Sequence, residues 1–132
     1  MKEENRWLEF ALDDLDSSEI MYNAGKYNMV CFFAHQAAEK ALKAFLVSRK
    51  QNPPRTHNIV DLVNLCAAYN ASFSEILPKA RILNQFYIPT GYPTALPGSL
   101  ASGMPDNNTA ERAISFAKEI VSFCQNTILG PA

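Results

Sequence analysis

Wherever apolar side chains recur regularly in this chain they do so every three or four positions, and nowhere do they alternate with polar ones. Alternation is the mark of a half-buried strand; the longer step is the mark of one face of an α-helix. A core can therefore be closed only by packing helix on helix. Prolines and glycines cut the pattern into pieces. A first helix is predicted over 3–24, with Trp7, Ala11, Leu15, Ser18 and Tyr22 on one face and Gly25 as its C-cap. A second covers 26–50, with Tyr27, Val30, Cys31, Ala34, Ala38, Ala41, Leu42 and Phe45 as its seam, and stops before Asn-Pro-Pro at 52–54. The short gap between them predicts an antiparallel hairpin.

A third helix is expected over 57–70, capped by Thr56 or Asn58, a fourth over 73–87 and a last over 107–128, capped by Asn107, Asn108 or Thr109. Between the last two, residues 88–105 hold four of the eight prolines and three of the five glycines, and no charge. That spacing forbids helix, yet Tyr92, Leu96, Leu100 and Met104 are apolar anchors, as in a functional or interface-forming loop. The expected fold is all-α: an up-and-down antiparallel bundle of about five helices in one domain over 1–132.

Composition narrows the function. With 48% hydrophobic and 19% charged residues and a net charge of −1, the chain is globular and advertises neither nucleic acid nor an anionic membrane. No apolar run is long enough to span a bilayer and no signal-peptide pattern opens the chain, so a cytoplasmic location is expected. Cys31, Cys66 and Cys124 lie far apart among apolar neighbours, which reads as reduced, buried thiols. No metal-ligand pairing, phosphate loop, nucleophilic triad or paired-acid motif is present, and no cofactor is expected.

The chemistry that remains lies in HQAAEKALKAFL, residues 35–46. Gln36, Glu39, Lys40 and Lys43 point away from the apolar seam, with His35 at its border. They form either a solvated face held by i,i+4 pairs or a stripe lining a cleft or a second subunit. Phe32 and Phe33, apolar beside that stripe, suggest an interface. Asp14 falls on the apolar side of the first helix and needs a partner; an ion pair with a cation of the second helix is favoured over a catalytic acid. Seven of thirteen acids lie in 3–19 and five of twelve bases in 40–55, which an antiparallel hairpin would bring together. The excess around Arg49, Arg55 and His57 could receive a phosphate, His57 standing at a helix start whose backbone N–H groups favour an anion.

Trp7, Ala11, Asp14 and Leu15, then Gly25-x-Tyr27, CFFAHQAAEKALKAFL, Thr56-His57 with Ile59, Asp61 and Leu62, and IPTGYPTALPGSL form an ordered set. By these the chain resembles the HEPN domain family over nearly its whole length. The resemblance implies a helical bundle that dimerises, here through Phe32, Phe33 and Tyr92. It also implies pairing with a minimal nucleotidyltransferase in a toxin–antitoxin-like system, and a nucleotide such as ATP or GTP bound by His35, Glu39, Lys43 and His57. Two departures stand out. Gly91 and Thr94 replace the Arg and Asp usual around Tyr-Pro. The Arg-x(4–6)-His of HEPN ribonucleases is absent: seven residues separate Arg49 from His57, and one separates Arg55. An Arg and a His acting on one phosphate need a fixed spacing, so RNA cleavage through His57 with Arg55 or Arg49 is the alternative, not the first reading.

Overall fold

The computed structural model describes residues 2–87 and 104–130. In chain order these form α1 (Glu3–Asn23), α2 (Tyr27–Ser48), α3 (Ile59–Ala67), a 3₁₀ turn (Ala71–Ile76), α4 (Leu77–Asn84) and α5 (Asn107–Leu129), an all-α bundle with no strand among the described residues.

α1 ends as expected at Gly25, whose φ of +74° closes a Schellman turn: the Gly25 N–H reaches Tyr22 O and the Lys26 N–H reaches Met21 O. α2 ends in the same turn, with Lys50 N–H on Val47 O and Gln51 N–H on Leu46 O. Here the left-handed position, φ +62°, is held by Lys50 instead of glycine.

α2 is the central helix and packs against α1, α3, α4 and α5. Its alanines explain how: Ala34, Ala37, Ala38, Ala41 and Ala44 are fully buried and let neighbouring backbones approach. Larger groups fill the rest, with the Phe73 ring 4.5 Å from Phe45 and 4.9 Å from Phe123. On α1 the buried side chains are Leu8, Ala11, Asp14, Leu15 and Ser18; Trp7 and Tyr22, expected in the seam, are only half-buried. Ser18 is buried without penalty because its hydroxyl donates to Val30 O at 2.9 Å.

Three boundaries differ from expectation, each for a local reason. The fourth helix does not start at 73: Pro78 is confined to a first turn, so the α-helix begins at Leu77 and residues before it tighten into 3₁₀. α3 is shorter than 57–70, beginning after Asn58, whose side chain accepts the Asp61 N–H at 3.1 Å. α5 is capped by Asp106 and not by the residues after it; its carboxylate accepts the Thr109 N–H at 2.8 Å, which holds its pKa below the usual value.

The segment between α2 and α3 positions the site. From residue 39 to residue 50 α2 rises about 16 Å. The residues after it, with Pro53 and Pro54, are non-helical and can span up to about 23 Å by 57. The chain uses this reach to come back down, and α3 then climbs beside α2: His57 lies against Glu39, Cys66 Sγ 3.6 Å from Leu42 O, and the Tyr69 ring 6.5 Å from Phe45.

Candidate functional site

His35, Glu39 and Lys43 are successive i,i+4 positions on α2 and form one stripe. The stripe is not a solvated face: the three residues are 0%, 4% and 5% exposed. The return segment covers it with His57, and Tyr87, just beyond α4, packs against both imidazoles. Its ring is stacked on His57 at 4.3 Å and 10°, and lies 5.3 Å from His35 at 42°.

Glu39 is the hub. Its Oε2 accepts from Lys43 Nζ at 3.0 Å, and its two oxygens lie 3.0 and 3.2 Å from His57 Nδ1. His35 Nδ1 stands 4.0 Å from Oε1 and 3.0 Å from Gln36 Oε1. Burial of the charged form holds the His35 pKa below its ordinary value, so this ring is neutral near pH 7. His57 differs: its side chain is 46% exposed, and with Nδ1 turned to Glu39 the other ring nitrogen lies on the far side. A buried carboxylate–ammonium pair thus reaches solvent through one imidazole. Among the described residues no group of three or more His, Cys, Asp or Glu is arranged to hold a metal ion, and the Lys43 ammonium already occupies the Glu39 carboxylate.

The start of α3 is tied down residue by residue. Thr56 Oγ1 accepts the Asn58 N–H at 3.0 Å, Asn84 Oδ1 of α4 accepts the Ile59 N–H at 2.9 Å, and Asn58 caps Asp61. These bonds satisfy most of the amides that were expected to favour an anion. What the junction still offers an acidic group is the His57 ring itself.

Other predicted residues sit elsewhere. Asp14, 7% exposed, lies with Oδ2 2.7 Å from Lys40 Nζ on α2; burial raises its pKa while Lys40 opposes the shift. Phe32 and Phe33 are half-buried and meet edge to face at 5.8 Å. Arg49 and Arg55 are exposed, the Arg49 guanidinium lying 5.3 Å from the Tyr69 ring. Neither arginine bonds to the Glu39 cluster among the described residues. Tyr92, Gly91 and Thr94 lie outside the described residues. The three cysteines are free and buried, with burial pushing the Cys31 and Cys66 thiols up to about 12.

Tyr87 and Asn84 are the site residues that the sequence pattern missed. Tyr87 falls in the apolar periodicity of the fourth helix, and Asn84 carries no signal of its own in the sequence. Only the return of 51–58 onto α2 gives either a role.

Comparison with known proteins agrees with this architecture. A family model described as the HEPN domain matches residues 4–127. Among solved structures, TT1696 from Thermus thermophilus is 32% identical, covering 95% of this chain and 98% of its own, with a TM-score of 0.78. ST0689, an archaeal HEPN homologue, is 26% identical over 97% of this chain and 99% of its own, with a TM-score of 0.77. A HEPN domain protein of Thermotoga maritima, tm0613, shares the fold at 22% identity and a TM-score of 0.76, covering 96% and 99%. No curated protein matches the chain.

Proposed function

The chain belongs to the HEPN domain family, and from that premise we propose that it is a non-enzymatic, dimeric HEPN module that binds a nucleotide, a minimal nucleotidyltransferase partner, or both, in a toxin–antitoxin-like system. One observation carries the reading: Glu39, Lys43 and His35 are buried in a bundle that apolar residues could fill, and the half-exposed His57 brings the Glu39 end of this cluster to the surface. Burying an ion pair is weak support for stability, since a well-packed apolar replacement is often neutral or better. A ligand explains why such groups stand at the mouth of a junction. The imidazole of His57, backed by the Lys43–Glu39 pair, meets an acidic group of the ligand.

The test is thermal melting against ATP and GTP. A ligand at a hundred times its dissociation constant adds about 2.7 kcal/mol, on the order of 10 °C for a domain of this size. A rise that is lost in His57→Ala, a substitution at a half-exposed position, supports the nucleotide reading. No rise with either nucleotide moves the function to partner binding alone.

A second reading, a ribonuclease, draws on the Glu39–His57 pair. A carboxylate on Nδ1 orients an imidazole for general acid–base work at its other nitrogen. Against it stand the missing arginine spacing and the distance in the fold between the Glu39 cluster and Arg49, which sits on Tyr69. RNA cleavage abolished by His57→Ala would favour it; cleavage surviving that substitution comes from elsewhere.

A further inference from the structure

A different side of the α1–α2 hairpin carries a feature that the Glu39 cluster does not use. Glu3, Arg6, Trp7, Phe10 and Lys40 line an open cavity of about 360 Å³. That volume is within the range of small-molecule sites. Phe10 is 55% exposed, and Trp7 beside it is half-buried, so two aromatic surfaces face one space. Lys40 is held at its edge. Its Nζ is anchored 2.7 Å from the buried Asp14 carboxylate and lies 5.8 Å from the Phe10 ring centre, while its side chain remains 27% exposed. Arg6 is a second, exposed cation, against the single acid Glu3 in the lining.

These residues select their occupant. An apolar helix of another protein would cover Arg6 and Glu3 and leave them without water or partner, which is costly. A cationic ligand would meet the Arg6 guanidinium and the outer side of the Lys40 ammonium, whose charge Asp14 offsets from the buried side. A flat anion satisfies both the rings and the cations, by stacking and by charge. We infer that this cavity is a binding site, separate from the Glu39 cluster, for a small planar aromatic anion: its ring lies on Trp7 and Phe10, and its acidic group meets Arg6 and Lys40. Lys40 and Glu39 are neighbours in sequence but point 100° apart on α2, one toward α1 and one toward α3.

Trp7 is the chain's single tryptophan, so all tryptophan emission comes from a residue lining this cavity, and the cavity variants below assign the probe to it. The probe is 8-anilinonaphthalene-1-sulfonate, an aromatic anion that accepts energy from tryptophan. The folded protein is expected to show saturable, one-site quenching of Trp7 with matching probe emission. Phe10→Ser and Arg6→Glu, both at exposed positions, are each expected to weaken binding about tenfold with the circular dichroism and melting curve retained. His57→Ala is expected to leave it unchanged. Equal probe affinity in both cavity variants, or bound probe that does not quench Trp7, overturns the inference. So does a wild-type dimer that ignores the probe but dissociates on Phe10→Ser, because the cavity is then a face covered by a second copy.

Discussion

Nδ1 of His57 lies 3.0 Å from Oε1 of Glu39, although the two are eighteen positions apart in the sequence and the helix carrying Glu39 runs on for another nine residues. The contact exists because the chain leaves α2, turns at Lys50 and comes back along it. The buried pair of Glu39 and Lys43 and the exposed imidazole of His57 are thereby one unit, and its parts fail in different ways.

Removing the carboxylate is the severe change. Glu39→Ala leaves the Lys43 ammonium, 5% exposed, without its partner. Breaking a buried pair on one side costs about 3–5 kcal/mol. Glu39→Met with Lys43→Leu removes both charges and is expected to recover most of that loss. Urea unfolding of the single and double variants checks this; a double variant no more stable than Glu39→Ala would mean that the charges do not act as a pair.

How much of this was legible is clear from particular residues. Gly25 and Pro53 announced their turns, and the alanine-rich seam of α2 announced a central helix, because local backbone preference and periodicity decide those features. Periodicity could not say that Glu39 and Lys43 are buried. A helical wheel divides one helix into faces but does not know how many neighbours surround it, and α2 is packed on more sides than its apolar seam. The role of Tyr87 was illegible for the same reason: it depends on where residues 51–58 return.

His35 gives the bundle a pH dependence with a definite sign. Burial lowers its folded pKa below the ordinary 6.5, so the unfolded chain binds this proton more readily than the folded one. The contribution to stability is fully present above the unfolded value. It falls away as the pH drops from there through the folded pKa. The melting temperature is expected to decline on acidification through that window, and His35→Gln is expected to flatten the decline. An equally steep decline in the variant would assign it to another group.

Asn84 tests whether the α3 start positions His57. Its side chain accepts the Ile59 N–H at 2.9 Å, and Asn84→Ala removes that acceptor. An amide left unsatisfied there costs about 1–3 kcal/mol. The variant is expected to lose stability and to weaken any nucleotide-induced melting shift more than its stability loss accounts for. Asn84→Asp, which keeps an acceptor, is expected to restore the shift.

Lys50 marks a local cost in the turn. A non-glycine residue at φ +62° crowds its Cβ against the backbone, by about 1 kcal/mol. Lys50→Gly is expected to stabilise the fold by about that amount, and Gly25→Ala to destabilise it similarly at φ +74°. Chemical denaturation decides both. A loss of stability in Lys50→Gly would show that the lysine side chain contributes more than its backbone geometry costs.

The proposed homodimer rests on Phe32 and Phe33. Both are half-buried on α2, stacked edge to face at 5.8 Å, where a monomer gains little from two adjacent rings at its surface. If a second copy covers them, a carboxylate placed there must be desolvated in the dimer while remaining hydrated in the monomer. Phe32→Asp with Phe33→Asp is therefore expected to leave the helical content of the monomer unchanged. Sedimentation at micromolar concentration should then give a dimer for the natural chain and a monomer for the variant. A natural chain that sediments as a monomer removes these two rings from the interface and leaves them as surface packing between α2 and its neighbours.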